Sequence, residues 1–145
     1  MPVELRNEQL RVRIDARRLQ RQAESLLAAV GRADSTLSIL VTDDRRIAPL
    51  HERWMGEPGP TDVMSFPTRE KGTFPERSSV PQVWGDIVIS AEMAARRRPK
   101  DPQREVLRYL VHGLLHLTGQ DHKTARERLR MERQARLLEK GVVRK

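Results

Sequence analysis

The segment running from Asp101 to Thr118 constrains this chain most. Val106, Leu107, Leu110, Val111, Leu114, Leu115 and Leu117 fall at spacings that spread them around most of a helix circumference. A helix with so little polar surface has to be covered on nearly every side. Asp101 offers an N-cap and Pro102 suits the first helical position, so the helix is predicted from Pro102 to about Thr118. The chain has 145 residues, enough to wrap such a helix within one domain spanning 1–145.

The remaining segments supply the wrapping. Val3–Asn7 alternates weakly and reads as an edge strand, while Asp15 can cap a helix reaching about Val30, with Gly31 just beyond. Thr36–Thr42 is apolar and β-branched between acidic boundaries, the pattern of a buried strand. A short helix from Asp44 to about Met55 follows, then a strand over Thr61–Phe66 halted by Pro67. Residues 68–82, with Gly72, Pro75, Ser78, Ser79 and Pro81, read as a long surface loop. Val83–Ile89 is the last strand, and Ser90 caps a short helix ending before Pro99. The last helix covers about Lys123–Glu139, with Leu129, Leu137 and Leu138 as its apolar positions and Gly141 as its stop. The expected plan is α+β: a single small mixed sheet of about four strands, packed with about five helices around the apolar one.

That apolar helix carries an anomaly. Three of the four histidines lie within eleven residues, as His112, His116 and His122 of HGLLHLTGQDH. His112 and His116 are four apart, so their rings share one helix face, and Gly119 permits a left-handed turn that would bring His122 back towards them. Three neutral imidazoles with a fourth position open to water make the catalytic type of zinc site, one zinc per chain. The spacing HxxxHxxGxxH is also that of the metzincin motif, but Gly113 stands where a metalloprotease keeps its general-base Glu. A peptidase is therefore disfavoured. No general base is evident in the motif itself, and none is assigned.

Charge points to a partner. Residues 1–90 hold 13 basic and 13 acidic side chains, so the whole net charge of +8 lies in residues 91–145, together with the histidines. Such an excess suits a polyanion, and Arg96, Arg97, Arg98 and Lys100 are candidates to meet a nucleic-acid backbone. The absence of cysteine excludes thiol nucleophiles and sulfur-ligated zinc. No apolar run approaches the roughly 18 residues of a membrane span, and MPVELRNEQLRVRID lacks the apolar stretch of a secretory signal. A cytoplasmic protein with no membrane partner is expected.

HGLLHLTGQDH resembles the HGxLHLxGYDH signature of the YbeY family, bacterial metal-dependent endoribonucleases linked to ribosomal RNA maturation and ribosome quality control. SILVTDD at 38–44, PTDVMSFP at 60–67 and GDIVIS at 85–90 are similar to the family too, in its order and spacing. The resemblance implies a small α+β domain, a zinc on His112, His116 and His122, a basic groove for RNA, and cleavage of single-stranded RNA. Where the family has LNxxYR, this chain has LHERWM, so His51, Trp54 and Met55 replace the Asn, Tyr and Arg. That Arg belongs to the residues through which the resemblance implies cleavage. Its replacement keeps a second expectation open, a non-catalytic RNA-binding ribosome-assembly factor on the same zinc scaffold. A zinc hydrolase of another substrate class is a third.

Four further residues are candidates to orient a ligand or meet substrate: Asp121 beside His122, Ser65 and Asp62 in PTDVMSFP, and Asp86 in GDIVIS. Three residues apart on one strand, Asp62 and Ser65 are not expected both to face the cleft. Trp54 and Trp84 are read as core residues rather than base-stacking platforms.

Overall fold

The computed structural model describes residues 3–67, 83–119 and 123–143. Their order is β1 (Val3–Asn7), α1 (Ala16–Ala29), β2 (Thr36–Thr42), α2 (Asp44–Met55), β3 (Val63–Pro67), β4 (Val83–Ser90), α3 (Ala91–Arg97), α4 (Pro102–Leu117) and α5 (Ala125–Val143). The predicted loop 68–82 lies outside the described residues.

Local chemistry sets the helix starts. Asp15, Asp43, Ser90 and Asp101 each accept a hydrogen bond from the backbone N–H three residues on, satisfying a donor that the first turn would leave orphaned. Gly56, at φ 72°, closes α2 in the left-handed conformation that glycine adopts without steric cost.

The strands form one mixed sheet in the order β1-β2-β4-β3. β1, β2 and β4 are parallel, and β3 runs antiparallel to β4 at the edge. Strand alternation then divides the packing. Leu37, Ile39, Val41, Ile87 and Ile89 face the larger core, which α1, α3, α4 and α5 complete. Met64, Phe66 and Val88 face the other way, against Ile47 of α2. α4 lies in the middle of the larger core, with ten of its residues buried, from Glu105 to Leu117. Its predicted centrality is borne out.

α4 and β3 approach closely at Gly113. A Cβ there would sit 3.0 Å from Ile87 Cγ2, 3.0 Å from Ser65 Oγ and 3.2 Å from Val63 Cγ2. The Ser65 hydroxyl donates a 2.8 Å hydrogen bond to the Gly113 carbonyl. The position that carries a glutamate in metalloproteases is here a tight helix-to-sheet contact, where even a methyl would press on its neighbours.

Two expectations need correction. α5 passes through Gly141 to Val143, because Val142 is buried and Val143 packs against the core, and this outweighs the propensity of glycine to end a helix. Its inward residues are Met131, Ala135 and Val142, whereas Leu129 and Leu137 are 63% and 66% exposed. The strand after Gly59 begins at Val63, two residues later than predicted, since Asp62 spends a carboxylate oxygen on the Val63 N–H. Both tryptophans pack as expected: Trp54 meets Phe66 edge-on at 6.0 Å, and Trp84 lies against the core under the Arg32 guanidinium at 5.0 Å. No helix among the described residues is long and apolar enough to cross a membrane.

Candidate metal and nucleic-acid cleft

A cleft of about 650 Å³ opens along β3. Because β3 is the edge strand, residues of both its faces reach the cleft, Val63 and Ser65 on the α4 side and Met64 and Phe66 on the α2 side. The end of α2 contributes His51 and Met55, α4 contributes His112 and His116, and α5 contributes Arg128, Met131 and Glu132.

The structure brings His112 and His116 together as the spacing requires. Both border the cleft, His112 half-buried and His116 exposed. Burial lowers the pKa of His112 from its usual 6.5, and the nearby positive charge of Arg108 and His116 adds to that; Asp62 and Glu139 oppose it. A neutral imidazole with a free lone pair is the form that binds a metal. His112 and His116, one turn apart on α4 and both bordering the cleft, are side chains of the type that holds zinc. His122 and Asp121 lie outside the described residues, and among the described residues no three metal-ligating side chains group together.

Asp62 and Ser65 both border the cleft, contrary to the alternation argument. Asp62 precedes the strand, so strand parity does not govern it. One of its oxygens accepts from Val63 N–H at 2.7 Å, and the other meets Arg97 at 2.8 Å. Asp86 is buried mid-sheet between Ser38 and Phe66 and does not border the cleft.

Each arginine of the predicted basic run meets an acid of this chain: Arg96 with Asp44, Arg97 with Asp62 at 2.8 Å, and Arg98 with Glu105 at 3.7 Å. Hydrogen bonding to Asp44 and to Asp62 raises the pKa of Arg96 and Arg97. Lys100 is exposed and makes no ion pair among the described residues.

Sequence reasoning did not place His51, Arg128, Met131 or Glu132 at the site. His51, the fourth histidine, lies within the same cleft; its Nδ1 is 2.9 Å from the Gly59 carbonyl, which can only accept, so Nδ1 carries the hydrogen. Its replacement of the family Asn was visible, but its closeness to α4 was not. Arg128, Met131 and Glu132 were hidden because the leucines of α5 suggested a different inward face. The face that turns inward, with Met131, Ala135 and Val142, was set by the elements it packs against.

A profile of the family described as Endoribonuclease YbeY matches residues 4–141. The chain belongs to this family. It is 45% identical over 137 residues to the Endoribonuclease YbeY of Anaeromyxobacter sp. (strain Fw109-5), covering 92% of this chain and 68% of that protein. The counterpart from Anaeromyxobacter dehalogenans (strain 2CP-C) is 44% identical, and the chain spans 62% of its length. With the Endoribonuclease YbeY of Geobacter sulfurreducens (strain ATCC 51573 / DSM 12127 / PCA) identity is 39%, over 97% of this chain and 98% of the relative. The solution structure of TM1509 from Thermotoga maritima superposes with a TM-score of 0.58 and 23% identity, over 96% of this chain and 89% of that one. That likeness shows the fold alone, which this chain shares.

Proposed function

We propose that this chain is a zinc-dependent endoribonuclease that hydrolyses phosphodiester bonds in single-stranded RNA, acting in the cytoplasm on ribosomal RNA during its maturation and in ribosome quality control. The observation that carries this reading is the cleft in which His112 and His116 of the family motif face β3 and α5. His112, His116 and His122 would hold the zinc. Zinc there would supply Lewis acidity, activating water near neutral pH and drawing charge from a phosphoryl oxygen.

The chain's own side chains do the rest. Ser65 ties β3 to α4 at Gly113 and so keeps the histidine face at a set height above the strand. Arg97 and the Val63 N–H hold both oxygens of Asp62, fixing the rim of the cleft. The cleft volume falls within the range of pockets that enclose a small ligand, which suits a strand with its bases splayed out rather than a double helix.

Met55 favours a second reading, RNA binding without cleavage. It borders the cleft, is 63% exposed, and offers neither charge nor a hydrogen-bond donor. A peptidase is less well supported, because Gly113 stands where that class keeps its general-base glutamate and is pressed against β3 and β4. One assay separates the three: cleavage of labelled single-stranded RNA by purified protein, with chelator and after zinc is restored. Cleavage that chelator abolishes and zinc returns is expected. Salt-sensitive binding without cleavage would establish the second reading, and the absence of both would overturn the first two.

A further inference from the structure

Among the described residues thirteen side chains border the cleft, and Arg128 is the one of them that carries a permanent positive charge. Met131, buried in the core, anchors this part of α5, and Arg128 and Glu132, three residues before and one after, lie on the same side of the helix. Arg128 is exposed, and among the described residues its guanidinium makes no ion pair or hydrogen bond. Two other arginines behave differently: Arg97 is bound to Asp62 and Arg104 to Glu139. Across the cleft, α2 supplies no cation. Met55 is apolar, and Arg53 lies over the Trp54 ring at 5.3 Å without bordering the cleft.

An arginine in this setting keeps all five donors available, and its planar fork matches two oxygens of a phosphate at once. We propose that Arg128 grips the phosphodiester in the cleft, delivering from α5 the positive charge that α2 does not supply. This rests on the reading of the cleft as a site for RNA. It makes Arg128 a substrate-contacting residue on the wall beside the histidines, and it gives the excess charge of the C-terminal segment a defined place of action. Glu132, one turn further on, keeps a carboxylate at the same wall and so disfavours a second phosphate there.

The test compares wild type with Arg128→Gln, Arg128→Lys and Arg133→Gln, the last an exposed arginine of α5 that does not border the cleft. Two readouts are needed. Binding of a fluorescein-labelled single-stranded RNA 12-mer is followed by anisotropy in EDTA at rising salt, and single-turnover cleavage of the same RNA is followed with zinc at saturating protein. Arg128→Gln should flatten the logarithmic salt slope by about 0.7, the value for one phosphate contact on a single strand. It should slow cleavage on the order of 10²-fold, as does removal of one donor to developing charge. Arg128→Lys should restore part of the salt slope, and Arg133→Gln should leave the cleavage rate unchanged. Adding Met55→Arg to Arg128→Gln should recover at least tenfold in rate, because that arginine enters the same cleft from the opposite wall. The proposal is overturned if Arg128→Gln, melting like wild type, binds and cleaves as wild type does or loses no more than Arg133→Gln. If wild type cleaves no RNA, the endoribonuclease reading fails. The salt slope in EDTA then decides on Arg128 alone, a flattened slope upholding the proposal and an unchanged one ending it.

Discussion

Replacing Gly113 with alanine should destabilise this protein, although alanine is the better helix former. In a helix interior the exchange gains about 0.8–1.0 kcal/mol from backbone propensity. Against that gain stand the contacts the new methyl would meet: Ile87 Cγ2 and Ser65 Oγ at 3.0 Å, and Val63 Cγ2 at 3.2 Å. Ile87 and Val63 are β-branched residues on strands and have few rotamers into which to withdraw. Overpacking of a filled core typically costs about 1–3 kcal/mol. Displacing Ser65 also weakens its 2.8 Å hydrogen bond to the Gly113 carbonyl, and such a bond contributes about 0.5–1.5 kcal/mol net. The balance is a loss of about 1–2 kcal/mol. For a chain of this size that lowers Tm by roughly 3–8 °C. Gly141 is the control. It lies in α5, with nothing within 4 Å of a Cβ, so Gly141→Ala should stabilise by up to about 1 kcal/mol. Thermal melts of the two variants, in metal-free buffer, read the difference. Gly113→Ala melting at or above wild type would refute the claim that the helix is pressed against the strand.

His116→Ala should cost zinc affinity far more than stability, because His116 is exposed while the buried face of α4 stays intact; zinc titration and a melt of the same sample check it. In the metal-free protein the unfolded chain binds more protons at His112 than the folded one. Stability should therefore be complete above pH about 6.5 and fall as pH drops through that value towards the lowered folded pKa, a trend that His112→Gln should flatten in melts across that range. Charge reversal of Arg96, Arg97 and Arg98 together strips Asp44, Asp62 and Glu105 of their partners, so RNA affinity and Tm should fall together. Affinity lost at an unchanged Tm would show that the three arginines are held for RNA rather than for the fold.

Much of the architecture was legible because it rests on local chemistry. Asp15, Ser90 and Asp101 cap their helices as read, β2 and α2 keep their predicted bounds, and the apolar residues of α4 place it in the core. The pairing of His112 with His116 follows from helical periodicity alone, which no tertiary contact has to supply. α5 was harder, since its leucines advertise a face that the fold leaves in solvent while Met131, Ala135 and Val142 turn inward. Only the other elements could decide that, because which stripe of a polar helix is buried depends on the surface it meets.

The same division holds at the site. By itself the sequence determined the metal motif, the family resemblance, the charge excess of residues 91–145, and the glycine in place of a protease glutamate. Tertiary structure decided why that glycine is there, for Gly113 touches residues 26 to 50 positions away in sequence, on β3 and β4. It also decided that Asp62 and Ser65 share a cleft, that Arg96, Arg97 and Arg98 are met by carboxylates of the same chain, and that Arg128 borders the same cleft as His112 and His116. The physical reason is one of range. Caps, turns and periodicity act within a few residues and are written in local order, whereas ion pairs and cleft walls join side chains that meet only after the sheet and α4 have closed upon each other.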